Sequence, residues 1–323
     1  MTQPQAFTMA AIQAEPSYFD RDASTEKACA LIEEAGKRGA TIAAFGESWL
    51  PGFPTFAHTT HSFDVDYWNA AANYLENAVE VPSPTTELLC RSAERAGIDV
   101  VIGIAERDRN TQGTVYCSLL FIGSDGEILG VHRKLKPTFR ERIAWGEGDA
   151  STLTVHERPY ARISGLNCWE HNMVLPGYVL MNQGTQIHVA AWPGTDFVPP
   201  APTNYYTRQL FLSQAFASQG ACYVILVGGL KTADEGFPLS GDSRIIDPRG
   251  EVIAGPAAGE EILLADGSMK EIRAAKVAFD VAGHYSRPDL FQLHVNTKPT
   301  ERVRAEESTT PSGVERDGPD GET

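Results

Sequence analysis

The sequence predicts an α/β protein with a mixed system of sheets, folded as one domain. Short β-rich runs alternate with longer amphipathic segments from residue 7 to residue 254. The chain has 323 residues, of which 42% are hydrophobic and 21% charged, so it can form a sizeable core. We find no repeat and no internal linker, and therefore expect one domain over residues 1–296. That length is near the upper limit for one core, and two packed sheets would relieve the limit.

The elements follow from hydrophobic periodicity and from turn residues between the periodic segments. In the first half we expect strands at 7–13, 40–45, 99–105, 115–122 and 128–134, and helices at 23–38, 64–78 and 84–96. In the second half we expect strands at 160–167, 186–192, 222–228, 244–248 and 252–254, and helices at 170–183 and 205–218. From residue 297 the chain becomes rich in Glu, Asp, Ser, Thr, Pro and Gly, which predicts a disordered acidic tail over 297–323.

Charge and cysteine content exclude several classes of protein. The 27 basic and 42 acidic residues give a net charge of −15, the wrong sign for binding nucleic acid or an anionic membrane through a basic field. The five cysteines are an odd number without a CxxC pair or a Cys/His cluster at zinc spacing, so we expect no structural disulfide and no metal. The first residues lack a signal-peptide pattern and no run is apolar enough to span a membrane, which predicts a cytoplasmic protein.

One cysteine differs from the others in its position. Cys168 ends a predicted strand and is followed by Trp169-Glu170-His171, which we expect to open a helix whose N-terminus favours a thiolate. A buried core cysteine is the alternative interpretation, and we apply it to the other four, which lie in apolar helical or strand patterns (Cys29, Cys90, Cys117 and Cys222). A catalytic cysteine needs a base and a nearby cation.

Two other strand ends carry those groups. Glu47 lies just past the end of the apolar strand that ends at Phe45, and Lys134 ends the strand that begins at Ile128. Each residue alone is typical of a solvated surface. Sites in α/β proteins form at strand ends, however, so the coincidence of three such ends favours one site.

At these residues the sequence resembles the nitrilase branch of the carbon-nitrogen hydrolase superfamily. The blocks that match are Phe45-Gly-Glu-Ser-Trp-Leu-Pro-Gly52, His132-Arg-Lys-Leu-Lys-Pro-Thr138 with Glu141-Arg142, and Gly165-Leu-Asn-Cys-Trp-Glu-His171. The similarity extends over about residues 5 to 295. Trp169-Glu170 after the cysteine is similar to true nitrilases, whereas amidase and carbamoylase branches more often carry another aromatic residue and an aspartate there.

The resemblance implies a four-layer α-β-β-α sandwich and a catalytic triad of Glu47, Lys134 and Cys168, with Glu141 as a further family glutamate. It implies hydrolysis of a small-molecule nitrile to the carboxylic acid and ammonia, without a metal or organic cofactor. Cyanide hydratases and amidases with the same triad are the alternatives, followed by a non-catalytic assembly subunit. The resemblance also implies a homo-oligomer built from dimers, spiral or filamentous assemblies included.

Aromatic residues in the loops are candidates for the wall of an apolar substrate pocket, although core packing explains any one of them equally well. They are Trp49, Phe53, Phe56, Trp145, Trp169, Trp192 and Phe197.

Overall fold

Two six-stranded sheets form the centre of the structure, a computed structural model that describes residues 6–61, 64–194, 208–232, 239–301 and 303. In chain order the strands are β1 (Ala6–Gln13), β2 (Ile42–Phe45), β3 (Asp99–Arg107), β4 (Val115–Ile122), β5 (Ile128–Arg133), β6 (His156–Glu157), β7 (Arg162–Asn167), β8 (Ile187–Trp192), β9 (Tyr223–Gly228), β10 (Leu230–Lys231), β11 (Leu239–Ser240), β12 (Arg244–Ile246), β13 (Val252–Ala254) and β14 (Glu261–Ser268). The helices are α1 (Arg21–Lys37), α2 (Phe56–Thr59), α3 (Val65–Asn77), α4 (Pro84–Ala96), α5 (Val174–Asn182), α6 (Arg208–Gly220) and α7 (Met269–Ala278).

Both large sheets are mixed, as predicted. The first has the order β14-β1-β2-β3-β4-β5, and the second has the order β13-β12-β9-β8-β7-β6. Strands β1, β2 and β3 are parallel, and so are β7, β8 and β9. The carboxyl ends of neighbouring parallel strands therefore lie along one edge of each sheet, which is where a site can form.

Alternate strand residues enter different cores, because successive side chains of a strand point to opposite faces. On β1, Met9 belongs to a core between the two sheets, whereas Ile12 belongs to a core between the first sheet and helices α1 and α4. On β8, Val189 lies between the sheets and Ala190 packs toward α5 and α6. The layers are helix, sheet, sheet and helix, which confirms the predicted sandwich.

Local signals fix the ends of the helices on the first sheet. Asp20 caps α1 by accepting a hydrogen bond from the backbone N–H of Ala23 at 3.0 Å. Helix α4 follows the cap Ser83, starts with Pro84 and ends before Gly97, whose φ of 66° is left-handed. These are favourable residue types at their positions, so both helices could be predicted nearly to the residue.

Besides three two-residue strands that were not predicted, β6, β10 and β11, two longer parts of the second half differ from the prediction. The helix expected at 170–183 is divided into a 3-10 turn over Cys168–Asn172 and helix α5, which starts at Val174. Pro176 explains the division, because a longer helix would need the N–H that proline lacks, whereas the first turn of α5 tolerates it. Strand β14 and helix α7 were missed, since Asp266-Gly267 has the pattern of a turn. A Cβ at residue 267 would lie 2.9 Å from Cζ of Phe7, so the strand needs glycine where it packs on that ring.

The end of the chain is described only in part. Residues 297–301 and 303 have no regular secondary structure, and the backbone N–H of Thr300 donates to Oδ2 of Asp149 at 2.7 Å. The remaining residues of the predicted tail, 302 and 304–323, lie outside the described residues, as does the start of the helix expected at 205–218. Within the described ranges we find no helix of the length and apolar character that crossing a bilayer requires.

Candidate active site

The structure brings together the four residues that the sequence places in one site. The Lys134 ammonium donates to Oε1 of Glu47 at 2.6 Å and to Oε2 of Glu141 at 2.7 Å. The carboxylate oxygens of Glu47 and Glu141 and the Cys168 sulfur lie within 4.8 Å of one another. All four side chains are buried. The arrangement therefore places a thiol, two carboxylates and one cation in a site with little access to water.

Glu47 is held at the end of β2 where the two sheets meet. Its backbone N–H donates to the carbonyl of Trp192 at the end of β8, at 3.2 Å. The chain then crosses close to Gly103 on β3, where an added Cβ would lie 2.5 Å from the nitrogen of Ser48 and would also overlap the carbonyl oxygen of Gly46. A glycine at residue 103 is needed for this close approach.

Lys134 and Glu141 are fixed by backbone hydrogen bonds. The N–H of Lys134 donates to the carbonyl of Cys117 on β4 at 2.7 Å. Glu141 lies on a 3-10 turn over Phe139–Ile143, and its Oε2 accepts the Thr138 N–H at 2.6 Å besides the ammonium. This second hydrogen bond orients the carboxylate toward the lysine.

Cys168 occupies a strained turn between β7 and the 3-10 turn. Its φ of 48° is in the left-handed region, which a non-glycine residue adopts at a cost of about 1–3 kcal/mol. The α-helix begins only at Val174, so the expectation that a helix N-terminus follows the thiol directly is wrong. The position of the sulfur depends on the strained turn instead.

Burial controls the proton positions in the site. It raises the pKa of Glu47 to about 8, and the Lys134 ammonium opposes this rise without cancelling it. Burial, with a smaller effect of Glu47, raises the pKa of the Cys168 thiol well above its ordinary value. Burial lowers the pKa of Lys134, but Glu141 and Glu47 outweigh that effect, and the net pKa is raised well above its ordinary value. At neutral pH Cys168 is therefore a thiol and Lys134 an ammonium.

Among the described residues, three have side chains of the type and spacing that could hold a metal ion. They are Glu47, Glu141 and Cys168. The Lys134 ammonium already binds both carboxylates and supplies the positive charge that a metal ion would bring. The donor set does not fit a metal ion while the lysine is in place.

The aromatic residues predicted to line a pocket divide into three groups. Phe53 and Trp145 pack edge to face at 5.6 Å, and the Trp145 ring centre is 5.4 Å from the Lys134 nitrogen. On the Cys168 side, Trp169 contacts Phe139 and Trp192 stacks on His171, both with ring centres within 5.3 Å.

The third group consists of Trp49, Phe56 and Phe197. Trp49 packs on Phe45 in the core beneath α1 and α4, and its indole donates to the carbonyl of Ala14 at 2.7 Å, so its assignment to the pocket is wrong. Phe56 packs among Phe19, Tyr67 and Tyr74. Phe197 lies outside the described residues.

Sequence reasoning missed a carboxylate that joins the two main segments of the site. Glu170 is fully buried and accepts the backbone N–H groups of Leu135 and Asn167, each at 2.8 Å, while its two oxygens lie 3.2 Å from Nε2 of His132. Burial raises the pKa of Glu170, but His132 and the two N–H groups outweigh it, so the net pKa is lowered. Leu135 adjoins Lys134 and Asn167 adjoins Cys168. The sequence contains a signal for this contact, since His132 and Glu170 both lie in the blocks that match the nitrilase pattern. From the sequence alone, neither residue was given a role in the site.

Two histidines, the half-buried His171 and the buried His188, support the Cys168 backbone. Nδ1 of His171 lies 2.7 Å from the Cys168 carbonyl, which can only accept, so Nδ1 carries the proton. Nε2 of His171 must then accept from Nε2 of His188 at 3.0 Å, which leaves Nδ1 of His188 to accept from the Ser164 hydroxyl at 2.8 Å. Burial lowers the pKa of His171 to about 4 and lowers that of His188 well below its ordinary value, so both rings are neutral at pH 7.

Comparison with known proteins shows the family of the chain. The family model for carbon-nitrogen hydrolases matches residues 8–277. The chain is 49% identical over 307 residues to Nitrilase 2 from an unknown prokaryotic organism, covering 92% of this chain and 94% of that protein. It is 36% identical over 319 residues to an aliphatic nitrilase of Rhodococcus rhodochrous, covering 94% and 86% of the two chains.

Solved structures share the fold. Nit3 of Saccharomyces cerevisiae, a member of branch 10 of the nitrilase superfamily, superposes with a TM-score of 0.72 at 20% identity, covering 88% of this chain and 97% of its own. The NitFhit protein of C. elegans gives a TM-score of 0.74 at 17% identity, covering 93% and 70%. With the family model and the curated relatives, these likenesses show that the chain is an enzyme of the carbon-nitrogen hydrolase family and belongs to its nitrilase branch.

Proposed function

We propose that the protein hydrolyses an organic nitrile to the carboxylic acid and ammonia through a covalent intermediate on Cys168. The observation that carries the proposal is the buried contact of Lys134 with Glu47 and Glu141 beside the Cys168 thiol. The names of the two curated relatives, both nitrilases, support the choice of a nitrile as substrate. No step needs a metal or organic cofactor.

The first step is addition of the thiol to the nitrile carbon. Glu47 takes the Cys168 proton as the sulfur attacks, and the proton passes to the nitrile nitrogen, which gives a thioimidate without change in net composition. Burial raises the pKa of Glu47 to about 8, so its ionised form is a stronger base than an ordinary carboxylate. The Lys134 ammonium stabilises the negative charge that develops on nitrogen, and donors of this kind are worth several kcal/mol in a site that excludes water.

The second stage consumes two molecules of water. The first adds to the thioimidate carbon, and collapse of the tetrahedral adduct with loss of ammonia leaves a thioester on Cys168. The second hydrolyses the thioester and releases the acid and the free thiol. If the tetrahedral adduct expels the thiolate instead, the product is the amide. Glu141 holds Lys134 in the position that these steps require.

A substrate panel with ammonia release as readout tests the proposal. Aliphatic, arylaliphatic and aromatic nitriles, the matching amides and cyanide are supplied to the wild-type protein and to Cys168→Ala. We expect ammonia and acid from at least one nitrile, a mass adduct on Cys168, and no turnover by the variant. Cys222→Ala is the matched control, because Cys222 is buried in the core toward α5 and α6 and should retain turnover.

The panel also decides between related activities. Ammonia from amides but not from nitriles would assign an amidase, and formamide from cyanide would assign a cyanide hydratase. Substantial turnover by Cys168→Ala would refute the mechanism. Absence of turnover on the whole panel, with no adduct on Cys168, would favour the non-catalytic assembly subunit.

We propose further that the chain forms a homo-oligomer built from dimers, with spiral or filamentous assemblies as larger forms. Exposed apolar side chains on α5 and α6 support this, since Val174 is 77%, Leu175 60% and Phe211 44% exposed. Light scattering coupled to size exclusion measures the assembly. A monomer at micromolar concentration would contradict the proposal.

A further inference from the structure

A second thiol lies beside the carboxylate that the mechanism uses as a base. Sγ of Cys117 donates to Oε1 of Glu47 at 3.5 Å. The same oxygen accepts from Lys134 at 2.6 Å. The other oxygen of Glu47, Oε2, is buried and has no hydrogen-bond partner among the described residues. The two oxygens of one carboxylate are therefore in different surroundings.

Cys117 is held firmly in this position. It lies on β4 opposite Ala105 of β3, its side chain is fully buried, and its carbonyl accepts the Lys134 N–H at 2.7 Å. Burial raises the pKa of its thiol well above the ordinary value, so it is a neutral donor and not a second nucleophile. The same strand residue thus contacts both Glu47 and the backbone of Lys134.

We propose that Cys117 is a positioning residue for the reaction: its thiol and Lys134 bind Oε1 of Glu47, which leaves Oε2 as the oxygen that takes the Cys168 proton. The inference rests on the proposed function, in which Glu47 is the base. A carboxylate free to rotate would present either oxygen to Lys134. The two donors on Oε1 select one orientation, in which the free oxygen faces no competing donor among the described residues.

The donor strength of a thiol suits this role. A hydrogen bond to a carboxylate stabilises its charged form and lowers its basicity, and a thiol is a weaker donor than a hydroxyl. Cys117 therefore orients Glu47 while reducing its basicity less than serine would. The alternative is that Cys117 only fills the core in which Val115 and Trp145 also lie.

Two substitutions distinguish the positioning role from core filling, because they shift the pKa of Glu47 in opposite directions. Cys117→Ser supplies a stronger donor, so the acid limb of the pH profile of kcat/KM should move to lower pH. Cys117→Ala removes the donor, so the acid limb should move to higher pH. We expect displacements of roughly half a pH unit each, the scale of one weak hydrogen bond to a charged group. The titratable groups that face Glu47, and that stay unchanged in both variants, are Lys134, Glu141, Cys168 and Tyr74.

The controls are Cys222→Ser and Cys222→Ala, which make the same exchanges at a buried thiol outside the site and should leave the acid limb in place. A second measurement does not depend on the substrate: the rate at which iodoacetamide alkylates Cys168, followed by peptide mass spectrometry across pH, should move in the same two directions. Thermal unfolding of each variant confirms that it is folded.

The outcomes distinguish the two proposals. An acid limb unchanged in both variants, or displaced in one direction by both, overturns the role of Cys117, while nitrile turnover and a Cys168 adduct in the wild type would still support the proposed function. If the wild type turns over nothing on the panel, the proposed function fails, and the alkylation profile still decides whether Cys117 tunes Glu47.

Discussion

Replacing Glu170 by glutamine tests whether one buried carboxylate holds the two halves of the site together. Glu170 accepts two backbone N–H groups at 2.8 Å and contacts His132. Glutamine has the same shape but only one accepting oxygen, so its amide NH₂ must face a backbone N–H that then lacks a partner. Hydrogen bonds to charged groups are worth about 1.5–3 kcal/mol, and removing one partner of a buried pair costs about 3–5 kcal/mol. We expect Glu170→Gln to lower the free energy of unfolding by about 3 kcal/mol at pH 7.

The pH dependence of this loss has a defined sign. The folded-state pKa of Glu170 is lowered from 4.5, so its ionised form stabilises the fold above that ordinary value and loses this effect as pH falls through the lowered pKa. The difference between wild type and variant should therefore be full at pH 7 and smaller under strongly acidic conditions. Denaturant unfolding followed by tryptophan fluorescence at several pH values measures it.

Turnover should fall as well, because Leu135 and Asn167 are the chain neighbours of Lys134 and Cys168. A displacement of about 1 Å between catalytic groups can cost about 10²-fold, so we expect a loss of at least about tenfold. Glu157→Gln is the control: its carboxylate pairs with Arg162 at 2.6 Å but is 73% exposed, and the change should stay within about 0.5 kcal/mol. The reasoning is refuted if both variants show equal stability and turnover.

Three further predictions concern the same site and the end of the chain. Glu47→Gln and Lys134→Ala should each lower turnover by at least about 10²-fold in steady-state assays, and near-normal rates would contradict the roles of Glu47 as base and Lys134 as cation. Lys134→Arg should not retain turnover either, because a planar guanidinium does not replace a compact ammonium. Gly103→Ala should lower turnover while the protein stays folded, because the added Cβ meets the backbone that carries Glu47, and unchanged kcat/KM would exclude that contact. Deletion of residues 300–323 should leave activity per folded subunit within about twofold, whereas lost turnover with unchanged oligomer size would show that the tail reaches a site.

The strand ends could be predicted, and with them most of the site. Glu47 and Cys168 follow apolar runs that form parallel strands, β2 and β7. Lys134 follows β5, which pairs antiparallel with β4 and therefore runs in the same direction as β3, so its carboxyl end lies at the same edge of its sheet as those of β2 and β3. The family resemblance added Glu141. The four-layer sandwich also followed from the resemblance, whereas the alternation of elements indicated only a mixed α/β protein.

Residues whose role depends on sheet register could not be predicted. Cys117 lies in a run that is buried throughout, so its pattern is that of any core residue, and the pairing with Ala105 on β3 is what brings it to Glu47. Trp49 was predicted at the site but lies outside it. A loop aromatic near Glu47 is typical of a pocket, whereas this side chain points into the core between the first sheet and helices α1 and α4. Both cases depend on the direction in which a side chain points, which neither the sequence of a fully buried strand nor that of a turn shows.

The charges of the site explain why Cys168 is a protonated thiol before the reaction. One ammonium lies between two carboxylates, so with both ionised the cluster already carries one excess negative charge, and a thiolate within 4.8 Å would add a second in a buried space. Proton transfer from Cys168 to Glu47 moves a negative charge without creating one, since the carboxylate becomes neutral as the sulfur becomes charged. The transfer is favourable only when the sulfur bonds to an electrophilic carbon and the charge passes to the nitrogen near Lys134. Burial raises the pKa of Glu47, which makes its ionised carboxylate a stronger base for this transfer than an exposed glutamate.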